Sequence, residues 1–113
     1  MIDWSQVNQL KDDVGEDTFP EVVALFLDEV EEAIAPLRTG TLAATEMATT
    51  MHFLKGCAFS LGFRDFGNAC NHAEMLANSG RVDQVETSTL VALFELSRDR
   101  FRDLAQEKCG LAA

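Results

Sequence analysis

Apolar residues recur every three or four positions along most of the chain, which is the spacing of an amphipathic helix. The alternation typical of a β-strand is absent, and so are the Asn-Gly and Asp-Gly turns of hairpins. The pattern predicts five helices, over residues 3–14, 18–39, 41–61, 64–79 and 85–108. One short helix followed by four longer ones predicts an all-α fold, an up-down antiparallel four-helix bundle with an additional short N-terminal helix.

Residues near the predicted helix ends fit capping positions. Asp3 suits the N-cap of the first helix, and Thr18 with Glu21 has the spacing of a capping box at the start of the second. Gly62 follows the third helix, where glycine often ends a helix in the left-handed conformation. Pro36 lies inside the second helix, so that helix is open to a kink or an end just before the proline.

The composition indicates one globular domain over residues 1–113. Of the 113 residues, 47% are apolar and 25% are charged, and no repeat or linker interrupts the chain. Nineteen acidic residues against nine basic ones give a net charge of −10, which disfavours nucleic acid. No uncharged stretch approaches the about 20 residues of a membrane span, and the first residues lack the features of a signal peptide. We therefore expect a cytoplasmic monomer that binds neither nucleic acid nor membrane.

The cysteines do not indicate a disulfide framework or a metal site. Cys57, Cys70 and Cys109 form no Cys-x-x-Cys pair, so we interpret them as reduced, small hydrophobic residues. A metal site with His52, His72 and cysteines is a weaker interpretation, because residues five apart on a helix, such as His52 and Cys57, point about 140° apart. We expect no metal and no cofactor.

The third helix has a face that does not belong to the core. His52 lies two residues from Leu54, which places it on the opposite side of the helix from the apolar stripe. That stripe consists of Met47, Met51, Leu54, Ala58 and Leu61. Mostly small or polar residues share the face of the histidine, namely Thr45, Ala48, Thr49, Lys55, Gly56 and Phe59.

Two neighbours suggest a chemical role for His52. Gly56 costs about 1 kcal/mol relative to alanine in a helix interior, and the missing side chain leaves the approach to the imidazole open. Lys55 can place an ammonium beside a group attached to the ring. Because neutral imidazole is a competent nucleophile near pH 7, we interpret His52 as a candidate site of phosphorylation.

The run from His52 to Gly62 resembles the signature of histidine-containing phosphotransfer (HPt) domains, which is His-x-Leu-Lys-Gly, then small and apolar residues, then a glycine at the helix end. The matching residues are His52, Leu54, Lys55, Gly56, Leu61 and Gly62. The resemblance implies a four-helix bundle that relays phosphoryl groups between receiver-domain aspartates. It implies that His52 is the phosphoacceptor, Lys55 the nearby cation and Gly56 the space for the partner.

The resemblance also implies partners. We expect response-regulator receiver domains and a hybrid sensor kinase, with Mg²⁺ held by the receiver. The chain lacks a P-loop and a nucleotide-binding loop, so it would carry phosphoryl groups without ATP-dependent kinase activity of its own. The predicted partner surface consists of Thr45, Ala48, Thr49, Phe59, Phe63 and Arg64.

Two positions differ from the family pattern. Phe59 stands where the family often has a small residue, and Ala73-Glu74 stands where a Leu-Glu pair is common. Phe59 is open to two interpretations, a docking anchor or a residue covered by the core. The starting methionine and the capped first helix favour a stand-alone protein.

A second interpretation of the whole chain is a non-catalytic helical adaptor or dimerisation module. Exposed phenylalanines at 59 and 63 would serve such a module equally well, and His52 would then have no role. The two interpretations differ in one observable, since an adaptor stays unmodified when it is mixed with a phosphorylated receiver.

Overall fold

The computed structural model describes residues 2–108, with side chains as far as residue 103. Its helices are α1 (Trp4–Val14), α2 (Phe19–Thr39), α3 (Met47–Leu61), α4 (Arg64–Asn78) and α5 (Thr87–Lys108). Short 3-10 turns at Ala44–Glu46 and Val82–Gln84 precede α3 and α5. No strand forms within residues 2–108, and none of the helices there is long and apolar enough to cross a membrane.

Helices α2 to α5 close into a bundle in which each packs against two others. The contacts run from α2 to α3, from α3 to α4, from α4 to α5 and from α5 back to α2, while α1 packs against α2 and α3. Helices α3 and α4 are antiparallel, because His52 contacts Glu74 whereas Lys55, further along α3, contacts the earlier residue Asn71. The predicted all-α bundle with an additional N-terminal helix is confirmed.

The apolar stripe predicted for α3 is buried along its whole length, from Met47 to Leu61. Aromatic side chains fill the part of the core near the α3–α4 turn. Phe63 packs against Phe94 and Phe101, with ring centroids 6.4 Å and 5.7 Å away, and Trp4 of α1 stacks on Phe101 at 5.9 Å.

The prediction that Phe63 is exposed on the partner surface is wrong, because this side chain is only 1% exposed. The turn after α3 explains the difference. Gly62 has φ +78°, and the Phe63 N–H donates to the carbonyl of Ala58 while the Gly62 N–H donates to that of Phe59. This is a Schellman motif, in which the residue after the glycine commonly packs back against the helix. Phe63 therefore turns into the core.

Helix α2 begins directly after Thr18, at the predicted position, but two predicted caps are wrong, namely the capping box at Thr18 and Thr41 at the start of α3. Thr18 has helical backbone angles and makes no side-chain cap, because residues 15–18 already form a turn in which the Phe19 N–H bonds to Gly15. A capping residue needs an extended backbone instead. The N–H of Thr41 bonds to the carbonyl of Pro36, so this residue completes the end of α2 and does not begin α3.

The proline inside α2 does not end the helix, which continues from Pro36 to Thr39. The Asp3 cap is confirmed, since its carboxylate accepts from the N–H of Gln6 at 3.3 Å. The fourth and fifth helices begin at Arg64 and Thr87, within two residues of the predicted starts.

An ion-pair network joins α2 to α5. Glu31 accepts from Arg38 at 2.8 Å and from Arg98 at 2.7 Å, and Arg38 also donates to Glu95 at 3.1 Å. Burial raises the pKa of Glu31, but the two arginines outweigh it and leave this pKa below its usual range. The network therefore stabilises the fold at neutral pH and is lost as the pH falls through that lowered pKa.

The N-terminal segment is attached to the α3–α4 turn at Gly62. The N–H of Asp3 donates to the Gly62 carbonyl at 2.7 Å, and a Cβ on Gly62 would lie 2.6 Å from the Asp3 carbonyl oxygen and 3.0 Å from a methyl of Val7. Glycine is required here twice, once by its positive φ and once by this close approach.

We predict that Gly62→Ala destabilises the protein more than Gly40→Ala does. Gly40 also has a positive φ, of +68°, but a Cβ there would meet nothing within 4 Å. Gly40→Ala should therefore lower the free energy of unfolding by about 1–2 kcal/mol, the cost of the left-handed conformation alone. Gly62→Ala should cost about 1–2 kcal/mol more, because Asp3 must move and its hydrogen bond weakens.

Urea unfolding of the two variants measures this difference. Equal losses of stability would contradict the close approach of Asp3 to Gly62. The native chain is the common reference.

Candidate functional site

The candidate site is centred on His52, in the middle of α3. Leu54 is fully buried in the core, and His52, two residues before it, lies about 160° away around the helix, on the opposite side. The His52 side chain is 71% exposed. The predicted exposure of this histidine is confirmed.

A carboxylate from the neighbouring helix holds one nitrogen of this ring. Glu74 Oε2, on α4, lies 2.9 Å from His52 Nδ1. An ionised carboxylate can only accept a hydrogen bond, so Nδ1 carries the proton in this pair. The lone pair of the neutral ring is then on Nε2.

The same carboxylate is paired with the lysine of the motif. Lys55 Nζ lies 2.6 Å from Glu74 Oε1 and also donates to Asn71 Oδ1 at 3.4 Å. The Lys55 side chain is 24% exposed and that of Glu74 is 16% exposed. Glu74 therefore bridges the histidine and the lysine across the α3–α4 interface.

The bridge requires an ionised carboxylate. The Lys55 ammonium lowers the pKa of Glu74 most strongly, the hydrogen bond with His52 lowers it further, and partial burial opposes both. Because the resulting pKa is below the usual range of a glutamic acid, both contacts are present at neutral pH. They are lost as the pH falls through the lowered pKa.

The space around the ring is open. Ala48, Thr49 and Asn78 line a shallow groove together with His52 and Glu74. A Cβ built on Gly56 would meet no atom within 4 Å, so packing among the described residues does not require a glycine there. That Gly56 gives a partner access to the ring stays a prediction.

The other residues of the predicted partner surface do not lie together in the structure. Thr45 is exposed but lies in the 3-10 turn before α3, outside the groove, and Arg64 is exposed at the start of α4. Phe63 is buried, as described above. Phe59 is 39% exposed, and its ring lies against Gly67 of α4.

Glu74 is a functional residue for which the sequence alone predicted no role. The signal that could have found it is the antiparallel pairing of α3 and α4 about a turn at Phe63. His52 lies eleven residues before Phe63 and Glu74 eleven residues after it. Asn71 was missed as well, and it pairs with Lys55 by the same symmetry, eight residues from the turn on either side.

The cysteines within the described residues are buried in the core. Cys57 and Cys70 are both free, as interpreted from the sequence, and Cys109 lies outside the described residues. Burial raises the pKa of the Cys57 thiol and raises that of Cys70 to about 12, which keeps both protonated. Among the residues that the structure describes, no three His, Cys, Asp or Glu side chains are grouped to hold a metal ion. The expectation of no cofactor stays a prediction.

Comparison with known proteins identifies the family. The model of the Hpt domain matches residues 21–107. The chain is 25% identical over 109 residues to the phosphorelay protein LuxU of Vibrio harveyi, an alignment that covers 90% of this chain and 93% of LuxU. No solved structure matches the chain significantly. The chain belongs to the Hpt domain family.

We predict that Glu74→Gln removes the preference of His52 for the tautomer protonated at Nδ1. A glutamine side chain can accept from Nδ1 through its oxygen or donate to it through its nitrogen, so it no longer selects the form protonated at Nδ1. In ¹⁵N spectra at neutral pH, the native ring should be protonated mainly at Nδ1, and the variant should show a mixture of tautomers.

Glu21→Gln is the matched control, because Glu21 is exposed at the start of α2, distant from α4 in the sequence. That variant should leave the His52 signals unchanged. An unchanged tautomer in Glu74→Gln would mean that the carboxylate does not orient the proton.

Proposed function

We propose that this member of the Hpt domain family works in a multistep phosphorelay, with His52 as the residue that accepts and passes on the phosphoryl group. The observation that carries the proposal is the held and exposed ring, in which Glu74 occupies Nδ1 while the side chain remains 71% exposed. Family membership and the phosphorelay role in the name of the LuxU relative also support it.

The transfer step follows from this tautomer. The lone pair on Nε2 attacks the phosphorus of an aspartyl phosphate, an N–P bond forms, and the P–O bond to the aspartate breaks. The aspartate leaves as a free carboxylate, and the imidazole keeps its proton on Nδ1. The positive charge that the ring gains is stabilised by the Glu74 carboxylate at 2.9 Å. The reverse step passes the group to the next aspartate.

Lys55 compensates for the charge that arrives with the phosphoryl group. Its ammonium is 2.6 Å from Glu74 Oε1, so the carboxylate beside the ring is neutralised before the transfer begins. Lys55 is also three residues from His52 on α3, which places it within reach of a group on the ring. The Lys55 ammonium thus offsets the negative charge of both the Glu74 carboxylate and the phosphoryl group.

The proposed donors and acceptors are receiver domains, and a hybrid sensor kinase supplies the phosphoryl group at the start of the relay. Any Mg²⁺ in the transfer would be held by the receiver's own acidic residues. The charge distribution is compatible with an acidic partner, since residues 41–81 contain three acidic and three basic residues in a chain of net charge −10.

We predict that His52→Gln abolishes phosphorylation while His72→Gln retains it. His72 is exposed on α4, and it therefore tests whether exposure alone is sufficient. The measurement is acid-labile, base-stable phosphate after incubation with a phosphorylated receiver domain. Such phosphate on His52→Gln would contradict the assignment, and loss of it in both variants would indicate a general defect.

We predict that Lys55→Ala slows transfer or shortens the phosphohistidine lifetime by about fivefold, on the order of 1 kcal/mol for a partly screened charge. The substitution removes a cation and also leaves Glu74 unpaired beside the phosphoryl group. The double variant Lys55→Ala with Glu74→Gln should therefore lose less transfer activity than the sum of the losses in the two single variants.

Lys11→Ala, on α1, is the control for loss of a positive charge elsewhere. The effect at Lys55 should shrink as salt is added. Rates and lifetimes that match those of the control at low salt would make Lys55 an ordinary surface charge.

A further inference from the structure

Two glycines lie inside helices although their backbone angles do not require glycine. Gly56 of α3 and Gly67 of α4 both have negative φ, and each costs about 0.5–1 kcal/mol relative to alanine in a helix interior. Their surroundings differ. A Cβ on Gly56 would meet nothing, whereas a Cβ on Gly67 would lie 2.6, 2.8 and 3.0 Å from three ring atoms of Phe59.

The Phe59 ring therefore packs directly against Gly67. The ring rests on the backbone of α4 at a place where any side chain would push it away. Phe59 nevertheless remains 39% exposed, so its outer part faces solvent. Phe63 and Phe66, by contrast, are buried in the core.

The ring lies on the same side of α3 as the reacting histidine. Seven residues separate His52 from Phe59, which is a rotation of about 20° and a rise of about 10 Å. Gly56 lies between them, one turn from each, so the surface is low between the imidazole and the phenyl ring.

Any protein that exchanges a phosphoryl group with His52 must cover this ring. A standard interface buries about 800 Å² on each partner, equivalent to a disc of about 16 Å radius. A disc of that size centred on His52 includes Phe59 at about 10 Å, and aromatic residues are common among those that contribute most to binding. Because the chain carries a net charge of −10, long-range attraction to an acidic receiver is weak, and apolar contact must supply the affinity.

We propose that Phe59, packed against Gly67, is the apolar anchor onto which the receiver domain docks. The proposal rests on the function proposed above. The occupant is a receiver domain that presents an apolar patch beside its phosphorylated aspartate. Phe59 contacts the partner and does not take part in the chemistry at His52.

The experiment compares two phosphoryl donors for the native chain and Phe59→Ala. One donor is a phosphorylated receiver domain, and the other is phosphoramidate, which needs no docking surface. With the receiver, kcat/KM should fall at least about tenfold, mainly through KM. With phosphoramidate, the rate of His52 phosphorylation should be unchanged.

Leu96→Ala is the matched control for loss of exposed apolar surface. Leu96 is exposed on α5, which packs against α2 and α4 and lies across the bundle from α3. This variant should behave like the native chain with both donors. A loss with the receiver as large as that of Phe59→Ala would overturn the proposal, since the effect would not depend on position.

Gly67→Ala tests the packing of Phe59 against α4 without removing the ring. The added methyl displaces the ring, so transfer from the receiver should weaken while the phosphoramidate rate is unchanged. In a Phe59→Ala background the same methyl meets no ring, and it should leave transfer from the receiver unaltered and raise the melting temperature. If Gly67→Ala weakens transfer equally without the ring, the proposed pair is wrong.

The outcomes separate this proposal from the function on which it rests. Normal transfer from the receiver in Phe59→Ala, with a lower melting temperature, would make Phe59 a core residue and overturn the docking role alone. If the native chain accepts phosphate from neither donor at His52, the proposed function fails, and the docking role fails with it.

Discussion

The carboxylate of Glu74 is the group on which the proposed chemistry depends. It holds Nδ1 of His52 at 2.9 Å and the Lys55 ammonium at 2.6 Å, so one side chain fixes the ring and neutralises its own charge. The position of Glu74 depends in turn on the tight turn at Gly62. The glycine reverses the chain and sets the pairing of α3 with α4, which places Glu74 opposite the histidine.

The site limits the electrostatic repulsion between an acidic protein and the negatively charged phosphoryl group. A free carboxylate beside a phosphohistidine would repel the phosphoryl group, but this one is paired before the group arrives. The pairing also lowers the pKa of Glu74, so the carboxylate stays ionised at neutral pH and keeps the ring proton on Nδ1. Electrostatics therefore control the ring chemistry, while apolar surface at Phe59 is left to provide docking.

Periodicity predicts the features of this protein that depend on one helix at a time. The buried stripe of α3 and the exposure of His52 follow from the spacing of residues along a single segment. Features that depend on two segments of the chain were either not predicted or predicted wrongly. Glu74 reaches His52 through the register of two helices, and Phe63 is buried because a left-handed turn redirects the chain. Neither the register nor the turn is encoded in the helical period.

The measurement that tests the central claim most directly is the position of phosphorus on the ring. In the ¹⁵N-labelled protein phosphorylated by phosphoramidate, ³¹P–¹⁵N coupling identifies the nitrogen bonded to phosphorus. The account predicts coupling to Nε2 of His52, with the proton retained on Nδ1 next to Glu74. Coupling to Nδ1, or to the ring of His72, would contradict it.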